Sequence, residues 1–165
     1  MIVRRLNDIV GTDRDVTAPT FSSRRLLLER DHMGFSLHDT VLYAGTETLI
    51  WYKHHLEAVY CVEGEGELDV LPDGPRFAIG PGTLYALDGH ERHLLRARTD
   101  LRMICVFTPP LTGREVHDHE GTYPLLVSAP HDNESEHTAG STQVATHRER
   151  DIAVLKREKE AHDVR

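Results

Sequence analysis

Residues 52–67 indicate the fold most directly, and they read Tyr52-Lys53-His54-His55-Leu56-Glu57-Ala58-Val59-Tyr60-Cys61-Val62-Glu63-Gly64-Glu65-Gly66-Glu67. Apolar residues alternate with other types after Glu57, and Gly64 and Gly66 then provide a turn into the next segment. Because side chains alternate faces along a strand, Glu57, Val59 and Cys61 share one side. This pattern is typical of a strand at the mouth of a small β-barrel.

Turn-forming residues divide the chain from about Ser23 to Phe107 into short segments rich in Val, Leu, Tyr and Thr. The turns fall at residues 31–34, 44–45, 64–66, 72–75, 80–82 and 88–90. Turn signals spaced by roughly 8–12 residues, without helical periodicity between them, favour antiparallel strands. We therefore predict an all-β fold, a jelly-roll-like antiparallel β-barrel that covers residues 1 to about 120.

The composition changes towards the C-terminus. Pro109 and Pro110 remove two backbone donors, so we expect residues 108–117 to cross the barrel rather than to join a sheet. The last part of the chain is rich in Ser, Thr, His, Asp and Glu and carries few apolar residues. We therefore predict one domain over residues 1–127 and a polar, flexible extension over residues 128–165, with at most a marginal helix in it.

Composition and charge exclude several classes of function. The chain has 165 residues and a formal net charge of −8, which disfavours binding to the phosphate backbone of a nucleic acid. Its apolar runs are shorter than the roughly 18 residues that a membrane span needs, and its N-terminus lacks a signal-peptide pattern. Both cysteines, Cys61 and Cys105, lie in apolar β-like segments, which favours a reducing compartment. We expect a cytoplasmic protein that acts on a small molecule.

A second turn, Gly80-Pro81-Gly82, leads to Tyr85 and then to His93. Together with Glu57, these side chains offer one carboxylate, one phenolate and one imidazole from neighbouring strands. An oxygen-rich set with open positions suits Fe(II), Mn(II) or Zn(II) and lets a substrate reach the metal. The alternative is that Tyr85 is a core aromatic residue and Glu57 is a paired carboxylate at the barrel rim. The residues alone leave both interpretations open.

Other side chains near these motifs are also open to two interpretations. Tyr52 could donate a proton, or it could be an aromatic residue at the rim. Cys105 and Phe107 share one face of an apolar segment and are most simply explained as barrel core. Glu115 and His117 share a side just after the two prolines, where an acid–histidine pair is either functional or simply solvated.

Two pairs of adjacent residues add further candidates. His54 and His55 point to opposite faces, so at most one of them faces the interior. Arg24 and Arg25 could bind a carboxylate, or they could mark the solvent-facing edge of a strand. Sequence alone does not decide between these functions.

Several long segments closely resemble the ectoine synthases, a family of cupin enzymes. The similarity runs from Met1 to about Val127, and it is carried by Thr46–Thr48, Tyr52–Cys61, Gly64–Glu67, Cys105–Phe107 and Leu111–His117. An ordinary cupin has a His-x-His pair upstream of its glutamate, but this chain has Ile50, Trp51, Tyr52 and Lys53 there. These motifs are long and specific, which makes the resemblance far closer than a generic cupin match.

The resemblance implies a cupin barrel that assembles as a homodimer. It also implies closure of N-γ-acetyl-L-2,4-diaminobutyrate into the compatible solute ectoine, with loss of water and with iron(II) as the usual metal. The implied metal ligands are Glu57, Tyr85 and His93, in agreement with the site argued above. The implied substrate contacts are Arg25, Thr40, Cys105 and Phe107, and the candidate proton carriers are Tyr52, Glu115 and His117.

Two features depart from the family pattern, and two other hypotheses remain. Phe21 replaces the usual tryptophan, so an aromatic wall is kept but an indole N–H is lost, and the polar extension continues past the usual end. A different metal-dependent cupin enzyme would need the missing His-x-His pair. A non-catalytic cupin that binds a small solute-like ligand is the second alternative, and tight product binding without turnover would favour it.

Overall fold

The computed structural model describes residues 1–126, where the chain forms ten β-strands and two single-turn 3-10 helices, Leu6–Asp8 and Glu29–Asp31. The strands are β1 (Asp15–Thr17), β2 (Phe21–Leu27), β3 (Ser36–Leu42), β4 (Glu47–Ile50), β5 (Leu56–Glu63), β6 (Gly66–Val70), β7 (Arg76–Ile79), β8 (Leu84–Leu87), β9 (His93–Ala97) and β10 (Leu101–Thr108). Within this part of the chain, no helix is long and apolar enough to cross a bilayer. The predicted extension, residues 128–165, lies outside the described residues.

The strands form two antiparallel sheets that face each other. The larger sheet has the order β1-β2-β3-β10-β5-β8, and the smaller has the order β4-β9-β6-β7. This confirms the predicted all-β, jelly-roll-like architecture. The sheets form a sandwich rather than one closed barrel, because each ladder in the described residues stays within one sheet. The chain passes from one sheet to the other at tight turns, such as residues 80–83 between β7 and β8.

Alternation along the strands determines which side chains enter the space between the sheets. In the larger sheet, β10 buries every second residue, namely Leu101, Met103, Cys105 and Phe107. In the smaller sheet, β9 buries His93, Leu95 and Ala97. As predicted, Glu57, Val59 and Cys61 of β5 are buried on one face. The core therefore contains polar side chains from both sheets among its apolar ones.

The turn from β5 into β6 depends on Gly64. This residue has a φ of +90°, and a Cβ atom there would overlap the carbonyl oxygen of Asp100. Only glycine adopts such a conformation without strain. The predicted glycine turn therefore carries the chain from the larger sheet to the smaller one.

The predicted crossing segment covers one end of the sandwich. It begins at Pro109, because Thr108 still pairs with Leu56 in the larger sheet. Leu111 is fully buried, and its carbonyl oxygen accepts a hydrogen bond from the backbone N–H of Glu29 at 2.8 Å. The Pro109 carbonyl oxygen lies 2.8 Å from Nδ1 of His55. These contacts hold the segment against the 3-10 helix Glu29–Asp31 and against the residue that precedes β5.

Candidate functional site

One row of residues runs across five strands of the larger sheet. Arg25 of β2 lies opposite His38 of β3, His38 opposite Cys105 of β10, Cys105 opposite Val59 of β5, and Val59 opposite Tyr85 of β8. Directly opposed residues in an antiparallel ladder point to the same face, and this face is buried. Four of the five side chains are titratable, although apolar groups would stabilise a core face better. Such a row indicates a binding or catalytic surface.

A small cavity lies between the sheets. Its volume is about 30 Å³, enough for one or two water molecules. Seven of the sequence-predicted site residues line it, namely Thr40, Tyr52, Glu57, Tyr85, Cys105, Phe107 and His117. The fold therefore brings together most of the residues that sequence analysis selected.

The three predicted metal ligands come from both sheets. Glu57 lies on β5 beside β8, which carries Tyr85. His93 begins β9 in the smaller sheet, and its ring centroid is 6.2 Å from that of Tyr85. Burial raises the pKa of Glu57 to about 8, and a hydrogen bond from the Cys105 thiol partly offsets this effect. Burial also raises the pKa of Tyr85, and the nearby Glu57 carboxylate adds to that shift.

The chemistry of these donors fits a divalent cation. His93 Nδ1 lies 3.1 Å from the Glu91 carbonyl oxygen, and its buried Nε2 has no hydrogen-bond partner within residues 1–126. Burial lowers the pKa of His93, which favours the neutral form that binds metals. Residues 1–126 contain no group of three or more His, Cys, Asp or Glu side chains that could hold a metal ion. A metal here would therefore depend on the phenol oxygen of Tyr85.

Tyr52 and His117 form a hydrogen-bonded pair in the cavity wall. The Tyr52 hydroxyl oxygen lies 2.9 Å from Nε2 of His117. Burial lowers the pKa of His117 to about 4, and the positive charge of Arg25 contributes to this shift. Burial also raises the pKa of Tyr52 well above its ordinary value. At neutral pH the pair is therefore a protonated phenol beside a neutral imidazole, an arrangement that can pass a proton.

Arg25 and Glu115 form a second buried pair. Arg25 Nη2 donates to the Glu115 carbonyl oxygen at 2.9 Å, and Nη1 lies 3.9 Å from Glu115 Oε2. Burial acts to raise the pKa of Glu115. Hydrogen bonds to its carboxylate from Thr112 and Gly113, at 2.7–2.9 Å, outweigh this effect and keep the pKa below its usual value. Nε and Nη1 of Arg25 have no hydrogen-bond partner in the described chain, so this cation can receive an anion.

An open groove of about 400 Å³ lies beside the cavity. Phe21, His117 and Tyr123 line both spaces, so three aromatic rings form the wall between them. Phe21 meets His117 edge-on, with ring centroids 5.5 Å apart, and thus keeps an aromatic surface at this position. Arg25 and Glu115 line the groove. Side chains rather than backbone therefore separate the groove from the cavity.

Two titratable residues of the cavity wall, His38 and Tyr123, were not predicted from the sequence. His38 is buried, with Nδ1 3.4 Å from the Ser23 hydroxyl and with Nε2 lacking a hydrogen-bond partner among residues 1–126. Burial lowers its pKa to about 3, and Arg25 contributes. His38 lies two residues before Thr40 on the same strand, so strand parity could have identified it. Tyr123 could not be found in this way, because it lies outside any strand.

The structure distinguishes the members of the two adjacent pairs. His55 is buried beneath the crossing segment, whereas His54 is exposed. Arg25 points into the interior, whereas Arg24 forms an ion pair with Asp39 on the opposite face of the sheet. In each pair one member faces inward, but strand parity explains this only for Arg24 and Arg25, because His54 and His55 lie before β5 begins at Leu56.

Comparisons with known proteins agree with the motifs. The family model described as ectoine synthase matches residues 1–127. Relatives named L-ectoine synthase from Desulfatibacillum aliphaticivorans and Thermobifida fusca (strain YX) are 62% and 61% identical over 128 and 127 residues. These alignments cover 76% and 77% of this chain and 98% and 95% of the relatives. The similarity therefore spans nearly the whole length of both relatives.

A solved structure gives the same result for the fold. The crystal structure of ectoine synthase from P. lautus is 60% identical in sequence, with a TM-score of 0.70. The match covers 83% of this chain and 99% of that chain. The two-sheet antiparallel architecture is thus the cupin-type fold that the sequence predicts.

Proposed function

The chain belongs to the ectoine synthase family, and we propose that it closes N-γ-acetyl-L-2,4-diaminobutyrate into ectoine with loss of one water molecule. One observation carries the proposal beyond family membership. Glu57, Tyr85 and the Tyr52–His117 pair line one cavity, with the His93 ring beside Tyr85 and with Arg25 in the adjoining groove. A merely structural core has no need for so many titratable groups.

The reaction sets three requirements for the site. The α-amine attacks the carbon of the acetyl amide, so a carbon–nitrogen bond forms and the carbonyl oxygen leaves as water. Both protons lost by the amine are transferred to that oxygen. The site must therefore polarise a weak electrophile, accept a proton and return one. Beyond these three, the site must hold the amine close to the carbonyl, and the adjoining groove of about 400 Å³ has room for the substrate.

We propose that Glu57, Tyr85 and His93 hold one divalent ion, iron(II) in the cell. When bound, such an ion supplies a Lewis acid for the carbonyl oxygen. The His93 imidazole is already neutral, with Nε2 available. Glu57 has a pKa of about 8, so its carboxyl group is mostly protonated at neutral pH and gives up the proton when a cation replaces it. The phenol of Tyr85 behaves in the same manner.

The Tyr52–His117 pair is the proposed proton carrier. Its two members lie within hydrogen-bond distance of each other and line the cavity. The third candidate, Glu115, has its carboxylate oxygens occupied by donors from Thr112 and Gly113. We therefore propose that Glu115 positions Arg25 rather than transfers a proton.

The remaining predicted residues suit contacts with the substrate. Arg25 carries two buried N–H donors without partners in the described chain, which suit the substrate carboxylate. The Thr40 hydroxyl, 3.1 Å from Ser23 Oγ, and the Cys105 thiol supply polar contacts. Phe107 forms an apolar wall, since its ring meets that of Tyr52 edge-on with centroids 5.2 Å apart.

Direct detection of the product tests the proposed function. The full chain is loaded with iron(II) under anaerobic conditions and incubated with the acetylated diaminobutyrate, and ectoine is followed by mass spectrometry. We expect ectoine to accumulate over many turnovers. Tight binding of ectoine without its formation would instead support the non-catalytic cupin that binds a small solute-like ligand.

The outer surface supports a homodimer, which we propose as the assembly. Four large apolar side chains on the outer face of β5 and β8 are 40–65% exposed, namely Leu56, Tyr60, Val62 and Leu84. Tyr60 and Leu84 lie directly opposite each other in the ladder, so the patch is continuous, and β8 is the edge of its sheet. An apolar patch on an edge strand is a common place for self-association. A closed pair is also the most frequent symmetric assembly.

Leu84→Glu is expected to convert the dimer into monomers at micromolar concentration. The reason is that a charge at the centre of the patch must be desolvated when the two copies meet. Sedimentation velocity measures the change. The control is Phe77→Glu, because Phe77 is an equally exposed apolar residue on β7 of the other sheet, 51% exposed. A Leu84→Glu variant that remains dimeric, or a wild-type chain that is monomeric, would contradict the proposed interface.

We propose that the protein works in the cytoplasm. Cys61 and Cys105 are both buried and carry free thiols. A reducing compartment keeps such thiols intact. The acidic chain and its enclosed interior suit a small-molecule substrate better than a nucleic acid or a membrane surface.

Deletion of residues 128–165 is expected to leave a folded, metal-binding protein with most of its turnover. All the residues assigned above to binding and proton transfer lie upstream of this segment, and its composition offers few apolar groups for a core. Circular dichroism, metal analysis and the ectoine assay measure the three properties. Loss of folding, or collapse of turnover with metal content unchanged, would place the extension within the site.

A further inference from the structure

We propose that Tyr123 is a positioning residue that holds the Tyr52–His117 pair in its reactive arrangement. The proposal deepens the proposed function, because it assigns the group that fixes the proton carriers. Tyr123 is 3% exposed and lines both the cavity and the groove. It is a buried titratable side chain that the assignments above leave unused.

The geometry around His117 carries the proposal. The rings of Tyr123 and His117 are nearly parallel, at 14°, with centroids 4.2 Å apart. Tyr123 also packs on Tyr52, with ring centroids 4.9 Å apart. His117 therefore lies between the Tyr123 ring and the Tyr52 hydroxyl, which fixes both the plane of the imidazole and the direction of Nε2.

A tight turn brings Tyr123 back onto His117. The Asp118 carboxylate accepts hydrogen bonds from the backbone N–H groups of Glu120 and Thr122, both at 2.9 Å, and the Asp118 N–H donates to the Thr122 carbonyl oxygen at 3.0 Å. Gly121 has a φ of +79°, and a Cβ atom there would overlap the Leu49 carbonyl oxygen. The turn is thus closed by its own residues and fits against β4 only with glycine at this position.

Two contacts anchor this turn to the segment that carries Tyr52. The Trp51 backbone N–H donates to the Gly121 carbonyl oxygen at 2.9 Å. Lys53 Nζ pairs with Glu120 Oε2 at 2.8 Å, although this partly exposed ion pair contributes little by itself. The turn that presents Tyr123 is therefore attached on both sides of Tyr52.

Three variants test the proposal by kinetics. Tyr123→Ala removes the stacked ring, and we expect kcat to fall on the order of 10²-fold, the loss that misplacement of a reacting group by about 1 Å causes. Tyr123→Phe keeps the stacked ring and removes only the hydroxyl, so kcat should fall by less than about tenfold. Leu125→Ala is the matched control, because Leu125 is exposed on the same segment, and it should leave kcat and KM unchanged.

The titration of His117 separates positioning from general destabilisation. The charged and titratable groups around this imidazole are Arg25, Tyr52, Glu115, Asp118 and Tyr123. Loss of the Tyr123 ring exposes His117 to water, so its pKa should rise from about 4 towards the ordinary value in Tyr123→Ala and stay low in Tyr123→Phe. Side-chain nitrogen NMR on the full-length protein measures this shift without any turnover.

The outcomes are distinct. Lower kcat together with a raised His117 pKa in Tyr123→Ala, both largely restored in Tyr123→Phe, supports the proposal. Unchanged kcat in Tyr123→Ala, or a loss of kcat with the His117 titration unchanged, overturns it. If the wild-type chain forms no ectoine, the proposed function fails, and the NMR titration still decides whether Tyr123 holds His117.

Discussion

Glu57→Gln is expected to abolish both metal binding and ectoine formation. Glutamine keeps the shape of the side chain but cannot supply an anionic oxygen, so bound iron should fall from about one ion per chain to a trace. Turnover should fall on the order of 10³-fold, since a Lewis acid supplies several kcal/mol and each 1.4 kcal/mol is a factor of ten. Metal analysis and the ectoine assay on the same sample measure the two effects.

The same substitution has a pH signature in the metal-free protein. Burial raises the pKa of Glu57 from 4.5 to about 8, so the folded state resists ionisation where the unfolded chain ionises freely. Its contribution to stability is complete below about pH 4.5 and is lost as pH rises through 8. Metal-free Glu57→Gln lacks this loss. It should therefore melt at a higher temperature than the metal-free wild type at pH 8 and at a similar temperature at pH 4.5.

A matched control is available on the same strand. Glu63 ends β5 and is exposed, so Glu63→Gln should retain metal content and turnover. Full activity in Glu57→Gln, or equal losses in both variants, would contradict the assignment of Glu57 as a ligand.

Tyr52→Phe is expected to lower kcat by 10²- to 10⁴-fold, roughly the range for loss of a general acid or base, with metal content unchanged. The variant removes the hydroxyl 2.9 Å from His117 Nε2 and keeps the ring that packs on Phe107 and Tyr123. KM should change much less than kcat, because proton transfer stabilises the transition state more than the bound substrate. Steady-state kinetics over a range of substrate concentrations separates the two parameters.

Stability should also fall in this variant. His117 Nε2 loses its partner, and a buried polar group left without a hydrogen bond costs about 1–3 kcal/mol. Tyr43→Phe is the control, because Tyr43 is outside the cavity lining, and it should leave kcat unchanged. A Tyr52→Phe variant with wild-type kcat would remove Tyr52 from the proton transfer and leave His117 to be tested alone.

Local sequence patterns predicted the strands because a half-buried strand has a period of two residues. The alternation after Glu57 and the glycines at 64 and 66 identified β5 and its turn, and both are present in the structure. Whether the strands close into a single barrel could not be predicted from such local patterns. Whether strands form one barrel or two facing sheets depends on long-range pairing, which no local pattern contains.

The candidate site was predictable where residues lie on strands. Parity placed Glu57 on one face with Val59 and Cys61, and this face is buried. The burial of His55 alone does not follow from parity, because His54 and His55 lie before β5 begins. Parity could not tell Arg24 from Arg25, because this choice depends on which face of β2 meets the other sheet. Tyr123 reaches the cavity through the turn at residues 118–122, and the hydrogen bonds that form such a turn appear only in three dimensions.

The proposed iron site and the proposed reaction are tested together by an iron titration. Iron(II) is titrated anaerobically into the metal-free full-length chain, and bound iron and the initial rate of ectoine formation are measured on the same samples. We expect the rate to rise in proportion to bound iron and to stop rising at about one ion per chain, whereas Glu57→Gln should stay on the order of 10³-fold slower at every iron concentration. An equal rate without metal, or no ectoine at full iron occupancy, would contradict this expectation.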